Sequence, residues 1–439
     1  MNKEFSSDKV ILFLSDLDFS KMGNQTLLNT VLGYIRNNFK VVLLTSAPKV
    51  ENIFEGIDFP EEYRDKVIIK RFCPLLRYPR MFFLTFVEFI IQRLRLDKWA
   101  KKDRSKVEEK SFFTYKPQLS FLSFLPGALF WGIVLAAKYR PQIIYGYEPL
   151  GVLPAWIISK IFSAKLITRF QGTILYPEMR KSVLKTVLKF PFHIISMIVP
   201  SDLIIMGNDG TRGKEVLLKL RIPEWRIRFW INGVDKNMYI PNFSKESLLN
   251  KFSLKKESKV ILTVSRLELW KRVDRAIKAM PQVVKKVPET ILIIVGWGSE
   301  ENNLRDLVKE LGLEEKVIFA GKVTHKEVKY FMNGCDIFLS LYDYSNLGNP
   351  VLEALVCGKS VVTIDDGSTT DVLKNGYNAI LVPKESLEQE LPKVLIELLE
   401  NDERRRVLEH NARDFAEKHL LSWTERMDLE VKEVLSLLK

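Results

Sequence analysis

Apolar residues in this chain cluster into short continuous runs separated by stretches of helical spacing. In the first half, Val10–Ser15, Lys40–Thr45, Val67–Lys70, Gln142–Gly146, Lys165–Phe170, Asp202–Met206 and Ile227–Ile231 predict strands. Asn24–Ile35 and Gly151–Phe162 predict helices between them. The second half repeats the rhythm, with strands over Lys259–Val264, Thr290–Val295, Lys316–Ala320, Asp336–Leu341, Ser360–Ile364 and Ala379–Val382. A strand that is apolar at nearly every position is buried on both faces, so each half predicts a parallel sheet covered by helices. The polar stretch Lys236–Ser258, holding Pro241 and Asn242, breaks the rhythm and predicts the linker. The organisation is therefore α/β: a first Rossmann-like domain over 1–240, a second over 241–420, and a final helix over 421–439 free to pack back on the first. Such sheets hold ligands at the carboxyl ends of their strands, so chemistry is expected in the loops that follow them.

A length of 439 residues fits two cores better than one. The 46% hydrophobic content excludes a disordered chain. Cys73, Cys335 and Cys357 form no C-x-x-C pair and four histidines show no ligand spacing, which argues for a reduced, cytoplasmic compartment without structural zinc. The run after Lys9 ends in Asp16 and reads as a first strand, not a signal peptide. Phe121–Ala137 is the stretch nearest to a membrane span, but Pro126 and its basic end favour a buried helix preceded by a loop.

Charge is lopsided. Residues 1–240 carry 37 Lys+Arg against 22 Asp+Glu, a net of +15, while the remainder is −2. The first half therefore faces an anionic partner: lipid headgroups, a phosphorylated acceptor or, on charge alone, nucleic acid. Within Arg71–Lys110, the apolar run Phe82–Ile91 is followed by Arg93, Arg95, Lys98, Lys101, Lys102, Arg104 and Lys106, an arrangement suited to peripheral membrane contact. Lys181, Lys185 and Lys189, four residues apart, predict a second basic helix face. The alternative is a core helix followed by a solvated charge run.

The stretch Tyr344–Gly358 carries the most chemistry. A glycine-bearing loop leads from a strand tip into a helix with Asn349 at the N-cap, Pro350 at the first helical position and Gly358 at the stop. Free backbone N–H groups and the helix dipole favour an anion there. Glu353, in the first turn or just past it, would accept from sugar hydroxyls on the same ligand; the plainer alternative has it facing water. After the strand at Lys259, Arg266 and Lys271 could neutralise a diphosphate. After the next strand, Gly296–Glu300 makes a tight turn, and Gly321–Val323 could read a base edge with its backbone.

In order, SRLELWKRVD, VGWGSEENNL, FAGKV and LGNPVLEALVCGKSVVTID resemble the retaining glycosyltransferases of family 4, which have the GT-B fold. Ile231–Asp235 is similar to the segment that ends their N-terminal domain. The resemblance implies a nucleotide-diphosphate sugar as substrate, no further cofactor and no metal. It implies Arg266 and Lys271 as the catalytic pair on the diphosphate and Glu353 on the ribose. Ser345, Asn346, Leu347 and Gly348 then lie near the donor sugar. Gly23, Gly298, Lys322 and Val323 complete the donor side, while Glu148, Gln171 and Gly172 lie on the acceptor side. Asp16 and Asp18 form a D-x-D pair, which in this frame needs no metal.

Three departures from the family pattern stand out. Ser345 occupies the place of a sugar-binding glutamate eight positions before Glu353. Asp343, two residues earlier, could reach in for it, or a water could bridge. Gln171-Gly172 replaces the frequent His-Gly, and Met22-Gly23 a frequent glycine pair. The expected activity is transfer of a sugar with retention to a glycan or lipid-linked acceptor, at the inner face of the membrane or in the cytoplasm, and without nucleic acid. Two alternatives stay open: an inverting enzyme of the same fold, or a binding protein that has lost turnover.

Overall fold

The computed structural model describes residues 9–17, 24–47, 54, 59–74, 104–365 and 367–438, and only the backbone of 104–120. Gly23, Asp18 and the basic, aromatic residues 75–103 lie outside the described residues.

The first sheet is built from β1 (Lys9–Ser15), β2 (Phe39–Thr45), β3 (Val67–Arg71), β4 (Ile143–Tyr147), β5 (Lys165–Phe170), β6 (Leu203–Gly207) and β7 (Ile227–Trp230). Its order is β3-β2-β1-β4-β5-β6-β7, all parallel. Helix α1 (Gln25–Arg36) covers one face; α2 (Arg104–Tyr139) and α3 (Glu148–Ile161) pack on the other. Because alternate residues of each strand point to opposite faces, Leu12 and Leu14 enter one core while Ile11 and Phe13 enter the other.

The second sheet comprises β8 (Lys259–Val264), β9 (Thr290–Val295), β10 (Val317–Gly321), β11 (Ile337–Ser340), β12 (Ser360–Asp365) and β13 (Ile380–Pro383). Its order is β10-β9-β8-β11-β12-β13, again parallel. In both sheets the order reverses beside the first strand of the domain, at β1/β4 and at β8/β11. The loops there splay apart and leave a crevice. Two facing parallel-sheet domains of this kind constitute the GT-B fold.

Four expectations change. Helix α2 runs through Pro126 from Arg104, with no loop before Phe121. Phe121, Phe124, Ala128, Leu135 and Ala136 are buried, whereas Leu122, Phe130, Ile133 and Val134 are exposed, so this helix is covered on one side only. Phe121–Tyr139 is long and apolar enough to cross a membrane by length and composition, with 39% of that window buried. Second, the basic helix is broken. Ser182 takes an extended backbone (φ −166°, ψ 120°) between α4 (Tyr176–Lys181) and α5 (Val183–Lys189), and its side chain caps α5 by accepting from the Lys185 N–H. The single helical row is thereby interrupted, although Lys181 and Lys189 both reach Glu178 Oε1, at 3.9 and 3.4 Å. The chain continues into α6 (Pro191–Ile198).

Third, the stretch 236–258 is not free linker. Helix α8 (Glu246–Lys251) buries Leu248 and Leu249 in the second domain's core, and Met238 joins them. Their isolated apolar spacing within a polar stretch hid this. Fourth, α12 (Asn349–Val356) is capped by Gly348, whose backbone is extended, and Asn349 is the first helical residue. The Asn349 side chain instead accepts from Asn232 Nδ2 at 2.9 Å. Gly358 does close the helix, at φ 61°.

The last helix, α15 (Trp423–Ser436), returns to the first domain and packs on α1. Its Glu430 is fully buried and accepts from Arg169 at 2.9 Å, Arg426 at 3.3 Å, Tyr145 at 2.8 Å and Tyr34 at 3.3 Å. A buried charge persists only when paired and hydrogen-bonded, and here four donors surround one carboxylate. Burial and Glu430 together push the Tyr145 and Tyr34 hydroxyls well above the usual tyrosine range.

Candidate active site

The loop after β8 is held at both ends. Leu267 N–H donates to Trp297 C=O at 2.9 Å, and Glu300 N–H donates to Leu267 C=O at 2.9 Å. Gly298 allows this stacking, since a Cβ there would stand 2.2 Å from the Leu267 carbonyl oxygen. Gly298 thus brings the loops after β8 and β9 together. Arg266 projects from this loop exposed, and Lys271 is half-buried beyond it. The Lys271 ammonium lies 3.7 Å from the Tyr342 ring centroid and 4.0 Å from that of Trp270. Burial, and after it the Arg266 charge, lower its pKa to about 7 against the opposing pull of the Asp209 carboxylate. Two cations so placed, one made uneasy by the other, want an anion between them.

Tyr342 joins this loop to the one after β11. Its hydroxyl donates to Val264 C=O at 3.1 Å, and Asp343 N–H donates to Trp270 C=O at 3.0 Å. The Asn346 amide is spent shaping that loop. Its Oδ1 accepts from Tyr342 N–H at 2.9 Å and its Nδ2 donates to Tyr342 C=O at 2.9 Å. Leu347 is buried, and its N–H donates across the cleft to Asp209 C=O at 2.9 Å. Neither side chain, nor the Leu347 N–H, is left to a ligand. Asp343 does not fill the place of a sugar-binding glutamate either, because Arg275 at 2.7 Å and Arg272 at 3.5 Å hold its carboxylate.

Glu353 is 8% exposed, which excludes the reading in which it faces water. It stands one turn into α12, and its Oε1 meets His325 Nε2 at 3.0 Å. His325 opens α11 (His325–Gly334), directly after the β10 loop that carries Lys322 and Val323. Thr324 and Glu327 form a reciprocal cap that fixes this start. Lys322 is exposed beside Trp297, and Val323 packs half-buried on the core. Arg266, Lys271, Gly298, Lys322, Gly348 and Glu353 therefore all belong to loops and helix starts at the carboxyl ends of one sheet.

The facing domain presents the end of β4, the end of β5 and the loop after β6. Glu148 Oε1 accepts from Gln171 N–H at 2.7 Å, and Gln171 Nε2 donates to the Tyr147 hydroxyl at 2.8 Å. Burial raises the Glu148 carboxyl to about 8. Glu148 holds a left-handed backbone, φ 61°, which a non-glycine residue adopts at a cost. Asp209, Asn232 and His325 were not singled out from sequence. Each touches its partner across a long stretch of chain, so spacing does not reveal it. The turn Asn208-Asp209-Gly210 at a strand's carboxyl end is the one legible signal among them.

Comparison with known proteins agrees with this fold. Residues 244–415 match the family model described as "Glycosyl transferases group 1". An uncharacterized glycosyltransferase of Methanocaldococcus jannaschii is 32% identical over 177 residues, 40% of this chain and 43% of that protein. A GDP-mannose-dependent monoacylated alpha-(1-6)-phosphatidylinositol monomannoside mannosyltransferase of Corynebacterium glutamicum is 31% identical over 183 residues, 40% of this chain and 47% of that one. The chain spans about half the length of the curated relatives it matches. Among solved structures, Anabaena HepE in complex with UDP and glucose superposes with a TM-score of 0.70 at 19% identity, covering 97% of this chain and 99% of that one. Sucrose-phosphate synthase from Thermosynechococcus elongatus gives 0.73 at 16% identity, over 98% and 99%. These likenesses place the chain among proteins of GT-B fold, and its second domain is similar to the group 1 glycosyl transferases.

Proposed function

We propose that the protein is a glycosyltransferase that moves a sugar from a nucleotide-diphosphate donor to a glycan or lipid-linked acceptor, with retention at the anomeric carbon. One observation carries the reading. Arg266 and Lys271, in the loop after β8, and Glu353, one turn into the helix after β11, stand at the carboxyl ends of neighbouring strands of one sheet, where Lys271 also feels the Asp209 carboxylate of the other domain. The cations take the diphosphate, whose charge grows as its bond to the sugar breaks. Glu353, steadied by His325, takes the ribose hydroxyls. Cleft closure sets the acceptor hydroxyl against the anomeric carbon. The new C–O bond forms on the face from which the diphosphate leaves, and the departing phosphate oxygen takes the acceptor's proton.

An acceptor carried by lipid suits the first domain's charge and surface. Leu184 and Leu188, on one face of α5, are 70% and 72% exposed, with Lys185 and Lys189 beside them. Phe130 is a further exposed apolar residue, on α2. An apolar stripe with a basic flank fits an anionic leaflet, which supports a reaction at the cytoplasmic side of a membrane.

A second reading has one observation in its favour. Glu148, with its carboxyl raised to about 8, is a group that could serve as general base, as an inverting enzyme requires. The anomeric configuration of the product by NMR separates the two readings. A thermal-shift panel of nucleotide sugars tests the class itself, since a true donor raises Tm by binding only the folded state. No shift with any of them contradicts the proposal.

A further inference from the structure

The chain passes between the two sheets twice, at 231–235 and at 420–423, and the passes are bonded to each other. Val234 N–H donates to Leu421 C=O at 2.9 Å, and Trp423 N–H donates to Val234 C=O at 3.2 Å. Asn232 sits at this crossing, just beyond β7, and its side-chain amide reaches three elements. Its Oδ1 accepts from Arg169 Nη2 of β5 at 3.3 Å. Its Nδ2 donates to Asn349 Oδ1 of α12 at 2.9 Å and to Thr26 Oγ1 of α1 at 3.4 Å.

These bonds have a direction. Arg169 is buried, and its Nη1 donates to Glu430 of α15 at 2.9 Å and to Thr30 of α1 at 3.0 Å. A guanidinium only donates, so the Asn232 atom that faces it is the oxygen. The amide nitrogen is thereby turned toward α12, and Asn349 meets it with an oxygen of its own. A buried carboxylate on α15 thus fixes, through Arg169 and Asn232, the first residue of α12. Asn349 and Glu353 are four residues apart in that helix and lie on one side of it. A hold on Asn349 therefore sets the roll of α12 about its axis, and with it the direction of Glu353. His325 steadies the same carboxylate directly, from within the second domain, at 3.0 Å.

We propose that Asn232 is a positioning residue of the donor site: it ties the first domain to the start of α12 and so aims Glu353 at the ribose. The inference rests on the glycosyltransferase reading. It adds that recognition of ribose by the second domain depends on a side chain at the crossing between the domains.

The test measures Kd in the full chain for UDP, GDP and their 2′-deoxyribose forms. Removing a hydroxyl that meets a well-aimed carboxylate costs a charge-assisted hydrogen bond, so wild type is expected to bind the ribose form about tenfold tighter. Asn232→Ala and Asn349→Ala should each shrink that ratio below about threefold. The Kd for the deoxyribose form should change less than about threefold, because Arg266 and Lys271 stand on another loop. The two substitutions together should do no more than either alone, since both break one bond. Asn349→Asp keeps an oxygen for Asn232 Nδ2 and should keep the wild-type ratio. If Asn232→Ala does not fold, Asn349→Ala, which trims only a helix start, carries the test. A merely structural role predicts that affinities for both sugar forms fall together; that result, or a wild-type ratio in Asn349→Ala, overturns the positioning role. Wild-type protein that binds both forms equally takes Glu353 off the ribose and overturns it too. Wild-type protein that binds no diphosphate overturns the glycosyltransferase reading, and this inference with it.

Discussion

At the scale of single residues, Lys271 has the sharpest solution signature. Its ammonium loses water without gaining a full counter-ion and titrates near 7. Only the protonated form attracts a diphosphate, and binding raises its pKa, so binding takes up a proton. Affinity for UDP or GDP should then be level below about pH 7 and fall by up to about tenfold per pH unit above it. Isothermal titration across pH 6 to 9 (on the order of one unit per step) checks this. Lys271→Ala should bind weakly and lose the pH dependence; the same slope in the variant would show that another group titrates. The thiols give a simpler test. Cys335 and Cys357 are buried, with burial pushing Cys335 up to about 12, while Cys73 is exposed. Native protein should take up maleimide at Cys73 alone, read by peptide mass mapping, and modification of the other two would contradict the packing.

What could be read at this scale followed a simple logic. Arg266 and Lys271 stand in a loop, and Glu353 in the first turns of a helix, next to strands whose patterns are unmistakable, so the carboxyl-end rule locates them. Asp343 shows the limit. Its spacing offers it as a substitute for the missing glutamate, but Arg272 and Arg275 draw its carboxylate away. Asp209 came forward only once the two domains could be seen to touch. His325 lies 28 residues from Glu353, a distance that no local pattern spans.

At the scale of elements, strands were more legible than helices. Continuous Val, Ile and Leu runs leave little freedom when both faces are buried, and the second-half runs match β8 to β13 within about a residue at each end. Helix edges depended on single residues. Ser182 splits a lysine-spaced helix in two because its hydroxyl caps the second piece. Helix α15 joins the first domain through a buried carboxylate, and it makes a stability prediction. Glu430→Ala leaves Arg169 and Arg426 buried without their shared partner, which should cost about 3–5 kcal/mol in denaturant unfolding of the first domain. A loss within error of zero would mean that water enters and solvates the two cations.

At the scale of the whole molecule, charge and surface separate the two domains. The excess of basic residues belongs to the half that also exposes Leu184 and Leu188. Wild-type protein should co-sediment with vesicles containing phosphatidylglycerol more than with neutral ones. Leu184→Glu with Leu188→Glu should weaken this at least severalfold while nucleotide affinity stays unchanged. Equal sedimentation of variant and wild type would move membrane contact elsewhere or remove it.

The two-domain architecture was readable from the repeated strand rhythm alone, whereas the relation between the domains was not, because it depends on contacts such as Asn232 with Asn349 and Asp209 with Leu347. The most direct measurement of the central claim is binding of UDP and GDP, and transfer from their sugars, by Arg266→Ala with Lys271→Ala. The account predicts that both binding and transfer collapse while the unfolding midpoint of the free protein holds or rises, since a strained cation pair is removed. Wild-type binding and turnover in that variant would contradict it.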